Sequence, residues 1–154
     1  MTASARLAEL GLTLPPVAVP VAAYVPAVTF GNHVVTSGQL PTVDGRLVAT
    51  GLVGRDLTPE TARDAAATSV LNAVAAIAAL AGGVDNIVRI VKIVVFVASV
   101  PEFTGQPQVA NGASELLGEI FGEAGVHARS AVGVAALPLN APVEIEVTAE
   151  IAVS

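Results

Sequence analysis

Residues 143–151, Val-Glu-Ile-Glu-Val-Thr-Ala-Glu-Ile, alternate without a fault between apolar and polar side chains. Successive side chains of an extended strand point to opposite faces, so Val143, Ile145, Val147, Ala149 and Ile151 form one apolar row. Glu144, Glu146, Thr148 and Glu150 form a polar row behind it. A helix would scatter the apolar residues around its axis, so the segment demands a sheet with one covered face. The polar row leaves two readings open: it faces water, or it faces a neighbouring subunit, where its carboxylates are available to a substrate or an arginine.

The cover for that sheet is also legible. At Leu57-Thr-Pro-Glu60, Thr58 suits a helix cap, Pro59 the first helical position and Glu60 the positive end of the helix dipole. The helix is expected to stop at Gly82-Gly83, with Ala66, Val70, Ala73, Val74, Ile77 and Leu80 at helical spacing as its packing face. The stretch 65–84 is long enough to span a bilayer, but it is mostly alanine with Thr68, Ser69 and Asn72 interspersed, and reads as a buried soluble helix. A second helix is expected from about Pro107 to Phe121, with Leu116, Leu117 and Ile120 as core residues and Gly112 as a local weakness.

Strands are predicted at 27–30 and 33–39, joined by the hairpin turn Gly31-Asn32, with a second turn at Asp44-Gly45. The β-branched run 87–100 reads as a long central strand buried on much of both faces, and 129–137 as a further strand. A short helix at 4–10 and a proline-rich arm precede them. The expected organisation is an N-terminal helix and arm over 1–23 and one domain over 24–154. Its fold class is α+β, a mixed sheet with two helices on one face.

Composition narrows the function. With 53% hydrophobic and only 13% charged residues, some apolar surface is expected to meet another subunit. A net charge of −6, with seven Lys and Arg spread singly, leaves no basic patch and disfavours binding to a nucleic-acid backbone. The absence of cysteine excludes disulfides, thiolate metal sites and a cysteine nucleophile, and fits a cytoplasmic protein. Glu9 and the prolines Pro15, Pro16, Pro20 and Pro26 break any signal-peptide helix. Two histidines, His33 and His127, are too few for most zinc sites and read as strand-edge or loop residues; no metal, cofactor or membrane association is expected.

One charge stands out. Arg129 lies at the mouth of an otherwise uncharged strand, and a guanidinium there needs a partner. Its fixed donors suit a two-pronged grip on a carboxylate or phosphate of a ligand, or an internal ion pair with Glu144 or Glu146.

The segments Tyr24-Val-Pro, Val35-Thr-Ser37-Gly38-Gln39-Leu-Pro41, Val94-Val-Phe96-Val97, Asn111-Gly-Ala-Ser, Ala128-Arg129-Ser130, Leu137-Pro138 and Val143-Glu144-Ile145-Glu146 occur in order along the chain. Together they resemble the Rid family, the reactive intermediate deaminases, also known as YjgF-type or L-PSP endoribonuclease-like proteins. The resemblance implies a chorismate-mutase-like fold, a homotrimer and small-molecule sites in the clefts between subunits. It implies a hydrolase acting on 2-imino acids or their enamine tautomers, releasing ammonia. By that resemblance Arg129 binds the substrate carboxylate and Glu144 holds or activates the attacking water. Tyr24, Ser37, Gly38 and Asn111 line the same cleft, with Ala131 beside Arg129. From the residues alone, Ser37-Gly38 is also readable as a strand bulge, Asn111 as a helix-start residue and Tyr24 as an anchor for the arm.

The sequence departs from the deaminase pattern at Ala131, where cysteine is frequent, and at Ser114, where an aromatic is common. Its longer N-terminal arm resembles a longer subgroup of the family. Three functions follow: an imine/enamine deaminase, a non-catalytic trimer binding small carboxylate metabolites, and an endoribonuclease, which the acidic charge and single tyrosine disfavour.

Overall fold

A computed structural model describes residues 1–17, 19–20 and 23–153. Parts of the proline-rich arm at 18, 21 and 22 therefore lie outside the described residues. The elements are α1 (Ala3–Glu9), β1 (Ala27–Phe30), β2 (His33–Thr36), β3 (Thr42–Val43), β4 (Arg46–Leu47), α2 (Pro59–Ala81), β5 (Ile87–Ala98), α3 (Gln106–Phe121), β6 (Ala128–Val134) and β7 (Val143–Ile151). Single 3-10 turns at Val84–Asn86, Gly122–Gly125 and Pro138–Asn140 join the later elements. Five strands form one sheet in the order β1-β2-β7-β5-β6, while β3 and β4 make a small hairpin around the predicted Asp44-Gly45 turn. Only β5 and β6 run parallel; the other neighbours in the large sheet are antiparallel.

The alternation at the C-terminus is realised as the chain's period requires. Val143, Ile145, Val147 and Ala149 are at most 1% exposed, while Glu144, Glu146, Thr148 and Glu150 are half-buried on the other face. The buried row meets Ile90, Ile93, Val95 and Val97 of β5 under Val70, Val74 and Ile77 of α2 and Val109, Leu117 and Ile120 of α3, all buried. Burying each such side chain contributes about 1.5–3 kcal/mol relative to leaving it in water, which is what holds the helices to one face. α2 begins as predicted, with the Thr58 side chain accepting from the Thr61 amide and Pro59 in the first turn. Long and apolar enough to cross a bilayer, it is mostly buried inside the protein instead.

Several expectations are corrected. Leu80 is 47% exposed: it lies in the last turn of α2, beyond Ala78, the last buried residue of that helix. β5 is central but not buried on both faces: Arg89 and Lys92 are exposed at register irregularities, and Val94 and Phe96 are only half-buried. It ends at Ala98, and β6 ends at Val134 rather than at 137. Gly112 is a packing requirement more than a weakness. A Cβ there would collide with the carbonyl of Arg63, so the glycine sets how closely α3 approaches α2.

Candidate functional site

Arg129 sits on β6, an edge strand of the sheet, paired in register with Ile93. Ile93 faces the helix layer, so Arg129 does too, and the guanidinium reaches α3. There its Nη1 donates to Asn111 Oδ1 at 2.8 Å and to Ser114 Oγ at 3.1 Å. Asn111 and Ser114 are three residues apart on the helix and therefore share a face. Both acceptors are neutral, so they fix the guanidinium without cancelling its charge. Among the described residues Arg129 forms no ion pair, which sets aside the expected bridge to Glu144 or Glu146. Its Nε and Nη2, which form the side-on edge of the fork, have no hydrogen-bond partner among the described residues and suit a carboxylate.

Behind this grip lies a residue that sequence reasoning passed over. His127 Nδ1 is 2.6 Å from the Gly125 carbonyl and its Nε2 is 2.9 Å from Ser114 Oγ. A carbonyl only accepts, so Nδ1 carries a proton; in the neutral ring Nε2 then accepts from the Ser114 hydroxyl. His127 stands two positions before Arg129, the spacing that puts both on one side of an extended chain, and this was the available signal. Ser114, His127 and Arg129 line an open cleft of about 290 Å³ whose floor includes Gly118 and Gly125.

Glu144 belongs to a different surface. It pairs with Phe96, three positions along β5 from Ile93, and therefore faces away from the helices. β5 lies between β6 and β7, so the strands carrying Arg129 and Glu144 do not adjoin. Burial, and secondarily the neighbouring Glu146 carboxylate, hold the Glu144 carboxyl above its ordinary range.

Gly38 stands directly over Glu144. The β2–β7 register runs His33 to Glu150, Val34 to Ala149 and Val35 to Thr148, and resumes at Gln39 to Ile145. Three residues, 36–38, thus oppose two, which is a bulge. Thr36 Oγ1 accepts from the Val147 amide across the gap at 3.0 Å. A Cβ on Gly38 would lie 2.7 Å from Glu144 Cδ and 2.8 Å from its Cγ, so only glycine leaves the carboxylate where it is. The bulge and the proximity to Glu144 are one feature.

Ser37 donates its hydroxyl to the Val25 carbonyl at 2.6 Å and thereby ties the end of the arm to the sheet. Tyr24, 51% exposed, lines a cleft of about 160 Å³ with Pro26, Gly38, Gln39 and Leu139. Ala131, two residues beyond Arg129 and on the same face, is packed against the core and offers only a methyl group. The structure thus brings Arg129 together with Asn111, and Gly38 together with Glu144 and Tyr24. It does not bring the two groups to one surface of a single chain.

Residues 4–151 match the model of the family described as "YjgF/chorismate mutase-like, putative endoribonuclease". The Trypanosoma cruzi protein TCP17 is 44% identical over 149 residues, covering 96% of this chain and 93% of that protein. The crystal structure of Atu1372 from Agrobacterium tumefaciens, a protein of unknown function, is 48% identical and superposes with a TM-score of 0.89 over 99% of this chain and 93% of that one. E. coli TdcF, solved with bound serine, is 28% identical, with a TM-score of 0.60, covering 90% of this chain and 94% of its own. The order of strands and helices, the motifs from Tyr24 to Glu146 and a family match spanning nearly the whole sequence agree, and the chain belongs to the YjgF/chorismate mutase-like family.

Proposed function

We propose that this protein is a cytoplasmic hydrolase that converts small 2-imino acids, or their enamine tautomers, to 2-oxo acids and ammonia in clefts between the copies of a homotrimer. The observation that carries this reading is Arg129: a half-buried guanidinium, locked at Nη1 by two neutral acceptors, with its Nε/Nη2 edge open beside a cleft. Such a group is preorganised for an anion. That E. coli TdcF was solved with serine, an amino acid, is consistent with a carboxylate ligand in a related protein.

The same geometry supports an assembly of copies. Arg129 and Glu144 face opposite sides of one sheet, so a substrate touching both must take them from two copies. The uncovered face also carries the exposed apolar residues Val28, Phe30 and Val132, which a neighbouring copy would cover. In such a cleft Arg129 holds the carboxylate and Glu144 of the other copy takes a proton from water as the C–O bond forms at C2. The electrons of the C=N bond move to nitrogen, which receives the proton. The hydroxyl proton of the resulting carbinolamine then passes to the amine as the C–N bond breaks, so that ammonia leaves and the C=O group forms. Holding the water and carboxylate in place removes entropy from the barrier, and a raised carboxylate is the stronger base.

The alternative is a trimer that binds small carboxylates without turning them over, and Ala131 favours it. A methyl group two residues from Arg129 supplies no proton-carrying group at a position facing the same way. Ammonia release from imines generated in situ by an amino-acid oxidase separates the two. Release faster than buffer, lost in Arg129→Ala, supports the deaminase. Saturable stabilisation by 2-oxo acids without release leaves the binder, and neither effect removes both. Cleavage of RNA is disfavoured by the net charge of −6 and the absence of a basic patch.

A further inference from the structure

We propose that His127 and Ser114 form a protonation-dependent second contact for the anion held by Arg129, so that this cleft binds carboxylates more tightly when His127 is charged. The inference rests on the reading of Arg129 as an anion clamp and adds to it a residue pair that the family resemblance does not supply.

The hydrogen-bond inventory dictates the switch. With His127 neutral, the Ser114 hydroxyl donates to Nε2 while its oxygen accepts from Arg129 Nη1. Its only proton is spent inside the network. With His127 charged, both ring nitrogens donate: Nδ1 still meets the Gly125 carbonyl, and Nε2 now donates to Ser114 Oγ. That oxygen then accepts from both Arg129 and His127, its two lone pairs are filled, and its own proton must turn elsewhere. Ser114 lines the cleft, so a ligand oxygen there is within reach of the freed hydroxyl. Protonation thus converts a closed serine into a donor toward a ligand oxygen and places a second positive charge beside Arg129.

The charged groups on the elements packed about His127 are Glu115 and Glu119 of α3, Glu123 of the turn after it, Arg129 of β6 and, on the far face of the sheet, Arg89 and Lys92 of β5. Glu115 is paired with Arg63, and no carboxylate lies within ion-pair distance of His127 among the described residues. No carboxylate among the described residues therefore compensates the imidazolium, and an anion on Arg129 is the partner that would. By linkage, binding of that anion draws a proton onto His127.

Calorimetric titration of the purified full chain with pyruvate as the probe, from about pH 8 to about pH 5.5, spans the range in which a histidine changes charge. Wild type is expected to gain about fivefold or more in affinity across that range, the lower end of typical coupling between linked sites. Proton uptake should show as a dependence of the heat on the buffer. His127→Gln, which keeps a donor and an acceptor but no charge, should bind with a flat profile. Ser114→Ala should lose affinity at acid pH more than at alkaline pH, and decides the matter alone if the histidine variant misfolds. A flat profile in wild type overturns the proposal, as does a slope that survives in His127→Gln and vanishes in Glu144→Gln. If pyruvate fails to bind wild type at any pH, the anion-clamp reading itself falls, and this inference with it.

Discussion

The two halves of the candidate site are built differently. The Arg129 half is held within one chain: Asn111 and Ser114 accept from the guanidinium at 2.8 and 3.1 Å, and His127 in turn meets Ser114 at 2.9 Å. The Glu144 half is positioned but open. Its carboxylate is placed by the bulge at Gly38 and raised by burial and by Glu146, yet it forms no ion pair among the described residues and looks out from the uncovered face. The binding half is thus preorganised by local packing, while the half assigned to proton transfer waits for what covers the sheet.

The sharpest way to break this contrast is Glu144→Gln. If Glu144 is the proton acceptor, kcat for ammonia release should fall by roughly 10²–10⁴ with little change in KM, the range typical of a lost general base. An unchanged kcat would reduce Glu144 to a surface residue. Arg129→Ala should act on the other half, raising KM and lowering kcat/KM by roughly 10–100-fold, since hydrogen bonds to charged groups are worth about 1.5–3 kcal/mol. Unfolding should be nearly unchanged, because the network it leaves is neutral. Mixing these two inactive variants under conditions that exchange subunits should restore about a quarter of wild-type activity, as random pairing across a symmetric interface reunites the two intact residues. No restoration would mean the halves do not meet between copies.

Gly38→Ala tests the bulge. It should lower activity by about tenfold through displacement of Glu144, at a stability cost below about 1 kcal/mol, because the side chain it strikes is flexible. Gly112→Ala is the control in which the obstacle is backbone: about 1–3 kcal/mol of stability should be lost in thermal unfolding, from overpacking between α2 and α3.

The smallest effect is the pH dependence of stability. Because folding raises the Glu144 carboxyl, its contribution is fully present below the unfolded glutamate value and is lost as pH rises through the folded one. Denaturation midpoints across mildly acidic pH should therefore decline more steeply with rising pH in wild type than in Glu144→Gln.

Much of the fold was legible because its signals are local. The alternation at 143–151, the Thr58-Pro59-Glu60 start of α2, its glycine stop and the Asp44-Gly45 turn each depend on a few neighbouring residues, and each appears where expected. The position of Leu80 did not follow, because periodicity says which residues share a face but not how far along the helix that face stays covered. In the site, Arg129 and Asn111 could be singled out and are found bonded. His127 was not: the two-residue spacing from Arg129 was its one signal, and the contact that gives it a role exists because α3 brings Ser114 against it.

By itself, then, the sequence determined most of the elements, the covered face of the last strand and the lone charge on β6, all properties of side-chain order along the chain. The tertiary structure decided the rest: that β5 separates β6 from β7, that Arg129 and Glu144 consequently face opposite ways, and that neutral groups rather than carboxylates hold the arginine. Strand order and register are set by which apolar rows pack together across long separations, and no local period records that.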